Sequence, residues 1–119
     1  MSVKQTENQA AFSIVEISDR QWHATDKFTQ STRWYMSDPT TGESLLHRDD
    51  GPAIEYNDGK QLYYCKGALH RSDGPACIYT CGGVSWWLYG KPYFSASEFC
   101  EAAQITGVDK TMLLLKWGN

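Results

Sequence analysis

The sequence predicts an α+β, mainly β fold: an antiparallel meander of repeated β-hairpins followed by two short C-terminal helices. Three observations carry that expectation. His47-Arg48-Asp49-Asp50-Gly51-Pro52-Ala53 returns 23 residues later as His70-Arg71-Ser72-Asp73-Gly74-Pro75-Ala76, and self-similarity at a short fixed period marks stacked units with worn units at the ends. Aromatic residues make up 13% of the 119 residues, with five Trp and seven Tyr, a composition suited to pleated, half-buried surfaces. The last quarter changes to the capping signals and apolar runs of helices.

Taken in order, residues 1–10 are polar and read as a flexible N-terminus ahead of a single domain over 11–119. Residues 11–17 alternate well enough for a strand, with 21–28 as its partner. Trp34-Tyr35 resembles the later aromatic pairs Tyr63-Tyr64 and Trp86-Trp87, but Tyr35 stands 12 residues before His47 where Tyr64 stands six before His70. The surplus, 37–42, is an insertion in the first unit, and hairpin repeats run over 34–94. Residues 52–56 read as a strand, since proline at a strand start costs no ladder hydrogen bond. Asn57-Asp58-Gly59-Lys60 is a tight turn, 61–65 the return strand and 66–68 the next turn. The scheme repeats with strands over 76–79 and 84–89 about Gly82-Gly83. Ser95-Ala96-Ser97-Glu98 is a capping box opening a helix over 96–104 that buries Phe99, Cys100 and Ala103. Gly107 stops that helix, Asp109 caps a second, and Met112, Leu113, Leu114, Leu115 and Trp117 are too apolar to stay exposed.

Composition excludes several classes of function. The formal net charge is −3, from 11 basic and 14 acidic residues, without the clustered Lys and Arg of a nucleic-acid footprint and too mild for a DNA mimic. The polar start is no signal peptide, and no apolar run reaches membrane-spanning length, so the expectation is a cytoplasmic protein with no membrane and no direct nucleic-acid contact. Cys65, Cys77, Cys81 and Cys100 then read as free thiols. Cys77-x-x-x-Cys81 lacks a second ligand pair, so the expectation is no metal, no cofactor, and cysteines acting as small buried hydrophobes.

The repeated string poses a choice between a duplicated active site and a duplicated joint. Catalysis needs a nucleophile or matched acid–base pair within reach, and no Ser or Cys recurs beside the histidines. A joint accounts for every residue type: Gly51 and Gly74 for tight turning, Pro52 and Pro75 for a fixed φ, Asp50 and Asp73 accepting from turn amides or the neighbouring arginine. On this view His47 and His70 pack flat on aromatics while one ring nitrogen bonds a carbonyl. Catalytic residues are therefore expected to be none. Each aromatic pair puts one ring inside and one outside, and the outward row either lies under the C-terminal helices or marks a partner site.

The string His70-Arg71-Ser72-Asp73-Gly74-Pro75-Ala76, preceded by Tyr64-Cys65-Lys66-Gly67-Ala68-Leu69, resembles a hairpin repeat of small bacteriophage proteins and, more distantly, MORN-type repeats. Trp87-Leu88-Tyr89-Gly90-Lys91-Pro92-Tyr93 is similar to the form of the last unit, departing from the pattern at Tyr93, where no histidine follows. The resemblance covers about half the chain. It implies a phage accessory that binds and disables a host protein in the bacterial cytosol, plausibly a CRISPR or restriction component. Expected anchors are Trp86, Trp87, Tyr89, Arg48 and Arg71, with the acidic set Asp49, Asp50, Glu55, Asp58 and Asp73 meeting a basic partner. The alternatives are a nucleotide-signal sponge, with His47, Arg48, His70 and Arg71 converging between protomers, and a virion structural protein. The chain is expected as a monomer or a homodimer, since an exposed edge strand can pair across a two-fold axis.

Overall fold

Eleven strands precede two helices in a computed structural model that describes residues 12–18 and 20–118. The expected flexible segment 1–10 lies outside the described residues. The strands are β1 (Phe12–Ser18), β2 (Gln21–Asp26), β3 (Ser31–Ser37), β4 (Ser44–Leu46), β5 (Ile54–Tyr56), β6 (Gln61–Leu62), β7 (Tyr64–Cys65), β8 (Ala68–Leu69), β9 (Cys77–Ile78), β10 (Val84–Leu88) and β11 (Lys91–Tyr93). The helices are α1 (Ala96–Ala103) and α2 (Gly107–Trp117). All strand pairs are antiparallel. One sheet runs β1-β2-β3-β5-β6-β9-β10-β11, with β4 beside β3, and β7-β8 forms a separate ribbon.

The register shows three units. Ile54 faces Leu62 and Cys77 faces Ser85, each pair displaced by the repeat offset. Tyr64 faces Leu69 and Trp87 faces Pro92 at the same offset. Tyr35 facing Leu46 is the same pair one unit earlier, with the extra residues held in a loop where the Asp38 carboxylate accepts from the Thr40 amide at 2.8 Å. The insertion therefore sits where residue spacing placed it.

Boundaries moved for a physical reason. The expected strands 52–56 and 61–65 shrink or split because the intervening backbone groups bond to the joints instead of the ladder. The Tyr63 N–H donates to the Ala76 carbonyl at 2.7 Å, and its carbonyl accepts from the His70 N–H at 3.0 Å. Trp34 is held the same way by Ala53 (2.7 Å) and His47 (3.0 Å). The repeated string is thus a bridge whose two ends grip one aromatic residue's peptide groups.

In α1 the Ser95 Oγ accepts from the Glu98 N–H at 3.1 Å, as a capping box requires, but the Glu98 carboxylate reaches one residue further and accepts from the Phe94 N–H. Gln104, in the left-handed region at φ 60°, ends α1. Gly107 does not stop it. Gly107 is instead the first residue of α2, Thr106 is its N-cap, and Asp109 sits in the first turn as a favourable charge on the helix dipole rather than as a cap.

The main core lies at this end: Trp86, Ala96, Phe99, Cys100 and Leu113 are buried, with Val84, Leu88, Tyr93, Ala103, Ile105, Leu114 and Trp117 against them. Ala103 is only half-buried. The expectation that the whole apolar run of α2 is covered fails, because Met112 is 61% and Leu115 76% exposed. The molecule measures 48 × 34 × 21 Å. One sheet covered by helices only at its C-terminal end leaves most strand residues half-buried.

Candidate functional site

Each joint is built around one arginine. The Arg48 guanidinium carbon lies 3.8 Å from the Trp34 ring centre and that of Arg71 4.1 Å from the Tyr63 ring centre. Arg48 Nε donates to Asp50 at 3.1 Å and Arg71 Nε to Asp73 at 2.9 Å. Each Nη1 donates to a proline carbonyl, Pro52 or Pro75, at 3.2 Å. Arg48 Nη1 also approaches Glu55 at 3.5 Å. Because Asp50 and Asp73 are largely exposed, each Arg–Asp pair is worth only about 0–1 kcal/mol, and stacking adds about 0.5–2 kcal/mol.

The glycines serve the arginines. A Cβ on Gly51 would lie 3.1 Å from the Arg48 guanidinium carbon, and one on Gly74 2.8 Å from that of Arg71. Neither glycine has the positive φ that tight turning would demand. That corrects the reading of these residues as conformational permits: what they supply is space.

The histidines also differ from expectation. The ring Nδ1 of His47 accepts the Lys66 N–H at 3.0 Å, and that of His70 accepts the Tyr89 N–H at 3.0 Å. Neither Nδ1 bonds a carbonyl. Each ring fastens its own unit to the hairpin turn of the next, where Lys66 and Tyr89 adopt left-handed φ values of 49° and 47°. His47 Nε2 then donates to Asp49 at 2.8 Å, and this bond holds the Asp49 carboxyl below the usual range, with a smaller contribution from Gln21. His70 has Ser72 in place of that carboxylate and stacks on Tyr89 with ring centres 3.9 Å apart. Burial lowers its pKa below the ordinary imidazole value.

Between the two joints runs a groove of about 430 Å³, walled by Tyr63, Tyr64 and Cys65 and lined by His47, Arg48, Asp49, Asp50, His70, Arg71 and Asp73. The four residues expected to converge between protomers thus converge within one chain. The basic groups are sunk, with side-chain exposure of 22% for Arg48 and 18% for Arg71, whereas Asp49, Asp50 and Asp73 stand out at 69%, 86% and 82%. Arg48 and Arg71 are consequently part of the scaffold and not free anchors. Glu55 lies beside the first joint, but Asp58 is elsewhere, its carboxylate accepting from the Lys60 N–H in the β5–β6 turn.

The aromatic anchors separate. Trp86, expected as an anchor, is 5% exposed and packs on Phe99 at 4.9 Å. Trp87 is half-buried, its indole N–H donating to Ser85. Tyr89 remains 75% exposed. The outward row is not an exposed ladder: Tyr35 stacks on Trp22 at 5.7 Å, and Tyr35, Tyr64 and Trp87 are all half-buried. The expected burial of Phe99 holds, but that Trp86 is the ring it covers was not read from sequence. The sign there is that Tyr93-Phe94 replaces the His-Arg of a third joint.

Among the described residues no cluster of three His, Cys, Asp or Glu side chains is placed to hold a metal. Cys77 and Cys100 are buried and Cys65 is half-buried, but Cys81 is exposed, against the expectation that all four are buried. No helix among the described residues is long and apolar enough to cross a membrane. No protein-family model, curated protein or solved structure matches the chain.

Proposed function

We propose that this chain is a non-enzymatic binding protein whose acidic groove lip docks on a basic surface of a host protein. In the version that its resemblance to phage repeats suggests, it is a phage accessory that occupies and disables a CRISPR or restriction component in the bacterial cytosol. The observation that carries the reading is the division of charge at the joints: both arginines turn inward onto aromatic rings, and Asp49, Asp50 and Asp73 turn outward. A partner approaching this groove meets carboxylates, and charge of one sign on a rim steers and selects a partner of the other. A non-enzymatic role is supported by the histidines, since both ring nitrogens of His47 are engaged and the Nδ1 of His70 is occupied by an amide.

The test exploits the one position that the repeat itself varies. Asp49→Lys with Ser72→Lys sets two lysines against the remaining Asp50 and Asp73, neutralising the lip while leaving both Arg–Asp pairs untouched. Tagged wild type is expected to retain one stoichiometric protein from bacterial lysate, released by salt, and the double variant to lose it with unchanged circular dichroism. Retention unaffected by this neutralisation would reject the acidic lip as the docking surface.

A second reading is favoured by one observation, that His47, Arg48, His70 and Arg71 line one groove in one chain. It is a clamp for the phosphates of a nucleotide signal. A thermal scan against a nucleotide panel separates the two, because a ligand at about 100 times its dissociation constant adds roughly 2.7 kcal/mol. Internal neutralisation of the guanidinium groups by Asp50 and Asp73 weighs against it.

A further inference from the structure

We infer that α2 is a self-association surface, pairing antiparallel with α2 of a second copy of this chain about a two-fold axis at Met112. The surface borders the second joint, whose Asp73 also belongs to the groove lip, but the residues tested below lie on α2 alone. Val108, Met112 and Leu115 are 76%, 61% and 76% exposed. Their spacing of four and three residues puts them on one helix face, a different side from Leu113, which is buried against the core. The helix is therefore apolar on two sides and covered on one.

The shape beside this ridge suits a copy of itself. A groove of about 590 Å³ runs between α2, with Asp109, Met112, Lys116 and Trp117, and the second joint, whose Arg71 and Asp73 are already paired with each other. A two-fold contact is self-complementary, so it needs a projecting and a receiving part side by side on the same surface. Here the ridge of Val108 and Leu115 projects and the groove receives.

Charge sets the direction. Asp109 in the first turn and Lys116 in the last are two turns apart and both border the groove. Antiparallel pairing centred on Met112 brings Asp109 towards Lys116 of the partner and repeats the pair by symmetry. Parallel pairing would set like charges together. The antiparallel arrangement also opposes the helix dipoles. One 11-residue helix, about 16 Å long, covers less than the roughly 800 Å² per partner typical of tight complexes. Association is accordingly weak and concentration-dependent.

Sedimentation equilibrium of the full chain over about two decades of concentration tests it. The weight-average mass is expected to rise from 13.5 kDa towards twice that value. Leu115→Gln, at an exposed position, is expected to weaken association by about tenfold with circular dichroism unchanged. Asp109→Lys alone should also weaken it, and adding Lys116→Asp should restore it by rebuilding the crossed pairs. A monomer at every concentration, a dimer indifferent to Leu115→Gln, or a double variant as weak as the single one would each overturn the proposal.

Discussion

Tyr63 and Trp86 occupy equivalent places in successive repeats, yet Tyr63 is covered by the guanidinium of Arg71 and Trp86 by the ring of Phe99. The same aromatic platform accepts either cover. What differs is the chain that follows. After Tyr63 the sequence supplies His, Arg, Asp, Gly and Pro, so the cover can also bridge to a carboxylate and a proline carbonyl and lead the backbone into another hairpin. After Trp86 it supplies Tyr93 and Phe94, and the cover comes from α1, whose apolar face ends the series. A polar cover continues the array and an apolar one stops it.

The largest test of that contrast is Phe99→Ala. Phe99 is fully buried, and truncating such a ring typically costs about 3–5 kcal/mol. Urea unfolding is expected to show a loss in that range, with the helices released from β10. A loss no larger than that of a surface substitution would mean that α1 does not close the stack.

Next comes the space under the arginines. Gly74→Ala forces a Cβ to 2.8 Å from Arg71 where Gly51→Ala forces one to 3.1 Å from Arg48. Overpacking of this kind costs about 1–3 kcal/mol, and Gly74→Ala should be the worse of the two. Combining it with Arg71→Ala should cost less than the sum of the single effects, since the clash disappears with the guanidinium. Strict additivity would show that the glycine has another role.

A smaller effect separates the two joints from each other. Ser72→Asp copies the first joint into the second, offering His70 the carboxylate that His47 already has. The gain should be about 0.5–1.5 kcal/mol, and the His70 imidazole should titrate at a higher pH by NMR, because the new carboxylate favours its protonated form. An unmoved titration would mean that the Tyr89 stack keeps the ring out of reach.

The smallest concerns acid. His70 is held below its ordinary pKa by burial, as is His23, with Arg48 adding to the effect there. Groups with depressed folded pKa values favour the folded state above the unfolded value of about 6.5 and lose that contribution as pH falls through the folded value. The melting temperature should therefore drop on acidification below that point, and less so in Ser72→Asp. A melting temperature that rises on acidification would contradict the burial of these rings.

Much of this was legible in the residues. The period, the first-unit insertion, the hairpin turns and both helices follow from local spacing and turn chemistry, because each depends on neighbours in sequence. The joint was legible as a joint, and the Arg–Asp contact was expected. Three features were not legible. The role of Gly51 and Gly74 depends on where a guanidinium lies, not on the glycine's own backbone. The histidine bonds reach 19 residues ahead, to Lys66 and Tyr89, beyond any local pattern. The burial of Trp86 and exposure of Leu115 depend on which helix face meets the sheet, and an apolar run with no clear period does not choose one.

Because each joint draws its arginine, carboxylate, glycine and proline from five consecutive residues, and borrows an aromatic from the unit before and a turn amide for its histidine from the unit after, units repeated in tandem carry their own fastenings. Duplicating one 23-residue cassette would reproduce both the platform and its cover without altering any other part of the chain. The distance between the N-terminal hairpin and the helical end is thus a quantity that evolution, or an engineer, can lengthen in fixed steps while the terminating Phe99 stays where it is.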